Sequence, residues 1–497
     1  MGLLKPLSYR DRRLVIASNR GPLTLRDSGS KGLEITPSVS GLVSALNPII
    51  DQEGGAWVGW GGRLGKPDEI MGKTLPLTDR NDAFFHEVIL TEEEVEAFYE
   101  GISNSCLWPL CHNFVEKALF DAEQWQNYRS VNIKYAQTLL QKSQPRDLIW
   151  IHDYHLALVP TSIRLERPQA QISLFWHIPF PAPEIFATLP WARELLKGLL
   201  DCNLIAFHTE SYVRNFLITA EELLGAKVDH VTGSIFWAGR KIIVAAYPIG
   251  IDWRDFESLA SKPEIRQKAH QLKQASGGDY LILGVDRLDY TKGIPERLKA
   301  IEWLFENHPE YKRKITFIQI AVPSRTQVKA YQSLRREVEE TVGRINGRFT
   351  EDHIPVRYLF RPLRKDHLVT HYLAADMCLV TPLRDGLNLV AKEYVATNGN
   401  YSGTLLLSPF AGAANQLKEA LQANPYSPQE TAEQILKGLL MAEGEKKRRL
   451  HSLYKSVKEQ DISWWWKRIK QAWLTGSTIT VSPKATLAED SHESTIS

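Results

Sequence analysis

Tyr280-Leu-Ile-Leu-Gly-Val-Asp-Arg-Leu-Asp-Tyr-Thr-Lys-Gly293 begins as an unbroken apolar run and breaks at once into Asp286, Arg287, Asp289 and Lys292. A strand with one wet face alternates in polarity; a continuous apolar run is what a strand buried on both faces looks like. The pattern recurs along the chain. Leu14-Val-Ile-Ala17 runs into Ser18, Asn19 and Arg20, and Asp147-Leu-Ile-Trp-Ile151 into His152, Asp153, Tyr154 and His155. Ile172-Ser-Leu-Phe-Trp176 runs into His177, and Leu204-Ile-Ala-Phe207 into His208, Thr209 and Glu210. Ile315-Thr-Phe-Ile-Gln-Ile320 runs toward Ser324 and Arg325, and Met377-Cys-Leu-Val380 into Thr381, Arg384 and Asp385. Helical patterns lie between these runs, for example Pro295 to Phe305 and Gln327 to Val342. The alternation predicts an α/β protein with parallel sheets and right-handed crossovers. In such sheets ligands bind beyond the carboxyl ends of the strands. Strands must end in something polar, but clusters this rich in His, Arg, Lys and Asp point to a functional edge.

The 497 residues suffice for two or three domains. A division near Tyr247-Pro-Ile-Gly-Ile251 gives one doubly wound unit over residues 1–250 and another over 251–460, with a cleft between them as the expected site. A closing helix is expected over 461–475 and a disordered Ser/Thr/Ala/Glu-rich tail over 476–497. Residues 20 to 40 read as a long mobile loop. With 60 Lys plus Arg against 58 Asp plus Glu, the net charge of +2 excludes nucleic-acid binding by bulk charge. No run approaches the ~18–20 apolar residues of a membrane span. The N-terminus lacks a signal peptide's apolar region, and the myristoylation pattern fails. Cys106, Cys111, Cys202 and Cys378 show no zinc spacing, so a cytoplasmic protein without disulfides or structural metal is expected. The 14 Trp exceed what a generic core needs.

Arg287 and Lys292 lie between a strand and a helix start marked by Pro295 and Glu296. Two cations and a helix N-terminus can clamp a diphosphate; taken alone, such a pair is more often a solvated loop. Pro382-Leu-Arg-Asp-Gly-Leu-Asn-Leu-Val-Ala-Lys-Glu393 adds a second anion site. There Gly386 supplies unusual backbone angles and close approach, and Leu387, Asn388, Leu389 and Val390 open a helix through their N–H groups. Glu393 follows one turn later to accept sugar hydroxyls. An ordinary helix cap around Asp385 and Asn388 is the plainer reading of that stretch. His152-Asp-Tyr-His155 could be read as metal ligands, but it has no third ligand at useful spacing and suits hydroxyl binding better. His177 ends its strand before a proline-stiffened loop. Arg20 and Arg325 end strands in opposite halves and could hold a phosphate across the cleft, with Tyr99 donating a hydroxyl. Trp60 and Trp108 read as sugar-stacking faces; Trp150, Trp176 and Trp303 read as core. Trp464-Trp-Trp466 cannot share one helix face. No GxGxxG follows any of the runs, which argues against a dehydrogenase.

Together these motifs resemble the trehalose-6-phosphate synthases, family 20 of the retaining glycosyltransferases. The matching stretches are SNR (18–20), GLVSAL (41–46), WVGW (57–60), SNSCLWPLCH (103–112), WIHDYHL (150–156), HIPFPAPEIF (177–186), YPIGID (247–252), RLDYTKGIPER (287–297), RINGR (344–348), TPLRDGLNLVAKEYV (381–395) and NPY (424–426). The resemblance implies a GT-B fold, with two Rossmann-like domains across a cleft. It also implies transfer of glucose from a nucleoside-diphosphate glucose to glucose 6-phosphate, with no cofactor and no metal. It places Arg20, Tyr99, Trp108, Asp153 and Arg325 at the acceptor, the first two and Arg325 on its 6-phosphate. Gly41, Arg287, Lys292, Leu363, and Leu389 to Glu393 fall at the sugar nucleotide, and His177 and Asp385 at the transferred glucose. Implied partners are these two substrates, with no nucleic acid and no membrane; a homo-oligomer, dimer or tetramer, stays open. A glycerol-3-phosphate-dependent sibling and a non-catalytic sugar-phosphate sensor are the alternatives. The donor base (UDP, ADP or GDP) is not fixed by these residues. One departure stands out: the family's glycine pair reads Ser40-Gly41 here, and Ser narrows backbone freedom.

Overall fold

In the computed structural model, residues 12–27, 32–38, 40–66, 69, 72–80, 82–325 and 328–476 are described. The first sheet has ten strands. Their spatial order is Lys227–Asp229, Ser234–Trp237, Arg240–Ala246, Leu204–Phe207, Gln171–Phe175, Leu148–His152, Leu14–Arg20, Gly55–Leu64, Ala83–Leu90 and Thr74–Pro76. The middle seven run parallel. Ile16 sits in register between Trp57 and Trp150, and all three are fully buried. This is the two-sided burial that the unbroken apolar runs predict.

The second sheet is parallel throughout, in the order Val356–Phe360, Ile315–Val322, Tyr280–Arg287, Met377–Val380, Thr404–Leu407 and Leu421–Gln422. Both sheets grow outward in two directions from their first strand. The reversal falls between Leu14–Arg20 and Leu148–His152 in one, and between Tyr280–Arg287 and Met377–Val380 in the other. A doubly wound sheet opens a crevice at that reversal, beyond the carboxyl ends of the strands. Arg20 and Asp153 therefore flank one crevice, Arg287 and Asp385 the other.

Three expectations change. Residues 20 to 40 are not a plain loop: Leu23–Asp27 and Leu33–Pro37 form an antiparallel hairpin. Leu23, Leu25, Leu33 and Ile35 alternate and share one face, and Leu25 is fully buried; that short period-two signal was masked by the surrounding Gly, Ser and charge. Residues 28–31 and 39 lie outside the described residues. The helix expected to end at Val342 runs as Lys329–Phe349, because Ile345 and Phe349 continue its buried stripe; Gln327 lies outside the described residues. Trp303 is half-buried rather than core.

The helix Ile462–Thr475 packs on the first sheet's side of the molecule. Trp465 Nε1 donates to Tyr247 O at 2.9 Å and Trp466 Nε1 to Glu53 Oε1 at 2.7 Å. Their rings lie 5.2 and 4.8 Å from that of Trp150, while Trp464 is half-buried. The tail expected to be disordered lies outside the described residues from position 477 on. All four cysteines are free and buried. Among the described residues no helix is long and apolar enough to cross a membrane.

Candidate active site

The first domain's wall is built at strand ends. Arg20 closes Leu14–Arg20, and its guanidinium carbon stands 4.5 Å from the centre of the Trp60 ring. Trp60 is held in turn, since its Nε1 donates to Arg63 O at 2.7 Å. Arg63 is clamped between the carboxylates of Glu69 and Glu87. Tyr99 rises from Val95–Leu107, a wide π-helix, which is a rare form that recurs at functional sites. Its ring meets that of Trp60 edge-on at 6.4 Å and stacks on that of His155 at 6.0 Å.

Asp153 follows Leu148–His152 with φ +74 and its Oδ1 accepts from His177 N at 3.1 Å. Burial pushes its carboxyl up to about 7, against the pull of the His177 and Tyr154 amides, Arg287 and Arg325. His177 Nε2 lies 3.0 Å from His152 Nδ1, and burial pulls His177 down to about 3, so its imidazole is neutral. His155 Nδ1 is 3.8 Å from Asp153 Oδ2, but burial also pulls His155 down to about 3. That contact is therefore no ion pair at neutral pH.

The second domain supplies the facing wall. Arg325, at φ +47, lies 3.2 Å from Asp289 Oδ2, which also accepts from Tyr331 Oη at 3.0 Å. Burial works against the Asp289 charge, but Arg325, Arg287 and Lys292 more than offset it and hold the carboxyl well below its ordinary value. Lys292 Nζ is 2.6 Å from Asp385 Oδ2, which also accepts from Asn388 Nδ2 at 3.0 Å. Asn388, at φ +82, caps the helix Leu389–Asn398 by accepting from Ala391 N at 3.3 Å. The first-turn amides of Leu389 and Val390 thus keep no intrahelical acceptor. Glu393 Oε2 accepts from Tyr372 Oη at 3.0 Å, and burial raises its pKa. Leu363 is half-buried and packs on the apolar cluster that Leu387, Leu389 and Val390 join.

The two walls touch. Trp108, from the first domain, has the Arg325 guanidinium carbon 4.1 Å and that of Arg287 5.2 Å from its ring centre. Tyr212 Oη donates to Asp385 O at 3.2 Å across the cleft. A methyl group on Gly41 would lie 3.2 Å from Leu389 Cδ1, so the first helix of one domain faces the phosphate-type turn of the other.

Several readings are refined here. Trp60 and Trp108 are only 6% and 5% exposed and carry guanidinium groups on their faces, so they act as cation–π platforms and offer no free stacking surface. Gly386 does not use left-handed angles. It is required by close approach, since a Cβ there would lie 2.2 Å from His177 O, and Asn388 takes the left-handed position instead. Ser40 sits at φ −148, extended backbone open to any residue, and its hydroxyl caps Gly41–Glu53 through Val43 N at 3.2 Å. Glycine freedom is not used at that position. The cap falls on Asn388, and the helix opens only at Leu389, so of the four residues expected to open it Leu387 and Asn388 lie outside and Leu389 and Val390 within its first turn.

Asp289, Tyr331 and His152 carry the site's internal geometry. The sequence offered His152 only as one of a hydroxyl-binding cluster, and its full burial against His177 takes it out of ligand reach. Asp289 had a signal, as a carboxylate between two cations in one motif; Tyr331 had none. Among the described residues, five non-glycines have positive φ, and Asp153, Arg325 and Asn388 are three of them. Such strain persists where surrounding structure over-determines it, commonly at functional sites. No group of three or more His, Cys, Asp or Glu among the described residues could hold a metal.

Comparison with known proteins gives the family. Residues 12–473 match the model of glycosyltransferase family 20. The chain is 39% identical over 466 residues to the UDP-forming alpha,alpha-trehalose-phosphate synthase 2 of Aspergillus fumigatus, covering 93% of this chain and 96% of that protein. It is 39% identical to the corresponding UDP-forming enzyme of Pichia angusta, over 91% of this chain and 97% of that one. The Burkholderia xenovorans enzyme solved with glucose-6-phosphate superposes with a TM-score of 0.85 at 32% identity, covering 93% of this chain and all of that one. The E. coli protein solved with UDP-2-fluoro glucose gives 0.85 at 36% identity, over 93% and 98% of the two chains. The two facing doubly wound domains are the GT-B fold. On its sequence, its fold and the length of the match, the chain belongs to glycosyltransferase family 20.

Proposed function

We propose that the protein is a retaining glucosyltransferase that makes trehalose 6-phosphate from UDP-glucose and glucose 6-phosphate. One observation carries this reading: a cation from each proposed phosphate subsite, Arg325 for the acceptor and Arg287 for the donor, lies on the ring of Trp108 in one cleft, with Arg20 held on Trp60 and Lys292 on Asp385. Two phosphorylated ligands fit such a cleft better than one. The relatives' UDP-forming activity supports the choice of donor.

Arg20, Tyr99 and Arg325 hold the acceptor's 6-phosphate, and Asp153 accepts a glucose hydroxyl. Arg287, Lys292 and the open amides of Leu389 and Val390 hold the diphosphate, with Glu393 on the ribose and Leu363 beside the base. His177 and Asp385 face the transferred glucose. As the bond from C1 to the diphosphate breaks, charge builds on the leaving oxygen, and fixed cations stabilise it without reorganisation.

A double displacement needs an ionised carboxylate free to attack from the opposite face. Asp385 is already engaged by Lys292 and Asn388. These contacts favour front-face transfer, the route the family resemblance implies: the acceptor's anomeric oxygen bonds to C1 on the side the diphosphate leaves. Its proton passes to the departing phosphate oxygen. His177, pulled down to about 3 by burial, is too weak a base to take that proton at pH 7, which leaves the phosphate oxygen as its acceptor.

The test is a product assay with glucose 6-phosphate against UDP-, ADP- and GDP-glucose, with glycerol 3-phosphate as the competing acceptor. Trehalose 6-phosphate, formed fastest from UDP-glucose, is expected. Product only with glycerol 3-phosphate, or none with any donor, overturns the reading.

A further inference from the structure

His152 is fully buried at the end of Leu148–His152, behind the cleft wall. Its ring lies against that of Trp150, with centroids 4.3 Å apart, and its Nδ1 is 3.0 Å from His177 Nε2. Its other nitrogen, Nε2, is buried and has no hydrogen-bond partner. His177 is the partly exposed ring of the pair. With its Nε2 turned to His152, its Nδ1 is the atom left to meet a ligand.

Both rings are neutral, because burial disfavours charge on each. Each therefore carries one N–H, and only two arrangements make the bond between them. In one, His177 Nε2 donates to His152 Nδ1, and His152 must keep its own proton on Nε2, a buried donor with no acceptor. In the other, His152 Nδ1 donates to His177 Nε2, and the unpartnered His152 Nε2 is only a lone pair. Orphaned buried N–H groups are rarer in folded proteins than under-used acceptors. The second arrangement wins.

We propose that His152 is a positioning residue: by donating from Nδ1 it holds His177 as the Nδ1–H tautomer, so that the cleft-facing atom of His177 is a hydrogen-bond donor. The site then selects, at that place, a sugar whose hydroxyl oxygen can accept. This rests on the reading of His177 as facing the transferred glucose, and it adds what fixes that ring's chemistry and which hydrogen-bonding partner it demands.

The test uses the full chain with 15N-labelled histidine, and His177→Phe identifies the His177 signals. The wild type is expected to show His177 protonated on Nδ1, and His152→Leu to convert it to a mixture of tautomers. His177 protonated on Nε2 in the wild type overturns the proposal.

The kinetic arm compares His152→Leu with His152→Asn, whose amide N–H falls near the position of imidazole Nδ1. The Leu variant should lose about tenfold in kcat, the scale of one hydrogen bond to substrate. Its KM for glucose 6-phosphate should not move, and the Asn variant should recover most of the loss. Equal loss in both overturns the proposal. If Leu fails to fold, the wild-type tautomer and the Asn variant still decide it. The tautomer readout needs no turnover, so absence of product with every sugar nucleotide would refute the proposed reaction while leaving this result standing.

Discussion

The guanidinium of Arg325, in the second domain, rests on the ring of Trp108, in the first, at 4.1 Å. Arg287 shares the same ring at 5.2 Å. One buried side chain thus supports a cation from each proposed phosphate subsite, and the contact joins the two domains. A desolvated cation–π contact is worth about 2 kcal/mol. Trp108→Leu should therefore lower kcat/KM for glucose 6-phosphate about 30-fold, with Trp108→Phe intermediate. Steady-state kinetics with both substrates varied checks this, and an unchanged kcat/KM would remove the platform's role.

Arg287 is exposed at its strand end and, among the described residues, has no carboxylate partner within ion-pair distance, so its loss should leave the fold intact. Removing a donor to the developing charge of a leaving group costs about 10²–10³ in kcat. Arg287→Ala should show that loss with an unchanged melting temperature. An active Arg287→Ala enzyme would refute the diphosphate assignment.

Gly386 lets the second domain's turn lie against the backbone of His177, where a Cβ would come within 2.2 Å of the carbonyl oxygen. Gly386→Ala must push the turns apart, and a misplacement near 1 Å costs about 10²-fold in rate. Activity should fall by about that factor while small-angle scattering shows a more open molecule. Full activity at unchanged dimensions would mean the two turns need not touch.

Asp153 gives a pH dependence with a definite sign. Burial raises its carboxyl from the ordinary 3.8 to about 7. Its ionised form accepts the sugar hydroxyl, so kcat/KM should fall as pH drops through about 7. That limb should vanish in the weaker Asp153→Asn variant. The folded protein binds this proton more tightly than the unfolded chain, so the group's cost to stability is fully present above about pH 7. The cost shrinks as pH falls toward 3.8. Asp153→Asn should raise the melting temperature at pH 8 and raise it less at pH 5.5; a gain that grew on acidification would contradict the shift.

Much of the fold was legible because strands buried on both faces leave unbroken apolar runs, and the switch-point rule then points to their polar ends. Arg20, Asp153, Arg287 and Asp385 were visible for that reason. The hairpin Leu23–Asp27 with Leu33–Pro37 was not, because its alternation is short and interrupted by turn residues. Pairings between distant parts of the chain were also hidden. Nothing local says that Tyr331 will reach Asp289, that His152 will face His177, or that Trp108 will lie beneath two arginines of the other domain. The sequence offered Trp108 as a sugar-stacking face; only the three-dimensional packing shows that its ring carries cations.

Retention with two phosphorylated substrates is tested most directly by the configuration of the product. Purified protein, UDP-glucose labelled with 13C at C1 and glucose 6-phosphate should yield UDP and a disaccharide phosphate, read by NMR. Phosphatase treatment should release a sugar in which both anomeric carbons are α. A β configuration at the labelled carbon, or UDP release without a disaccharide, would contradict front-face transfer in this cleft.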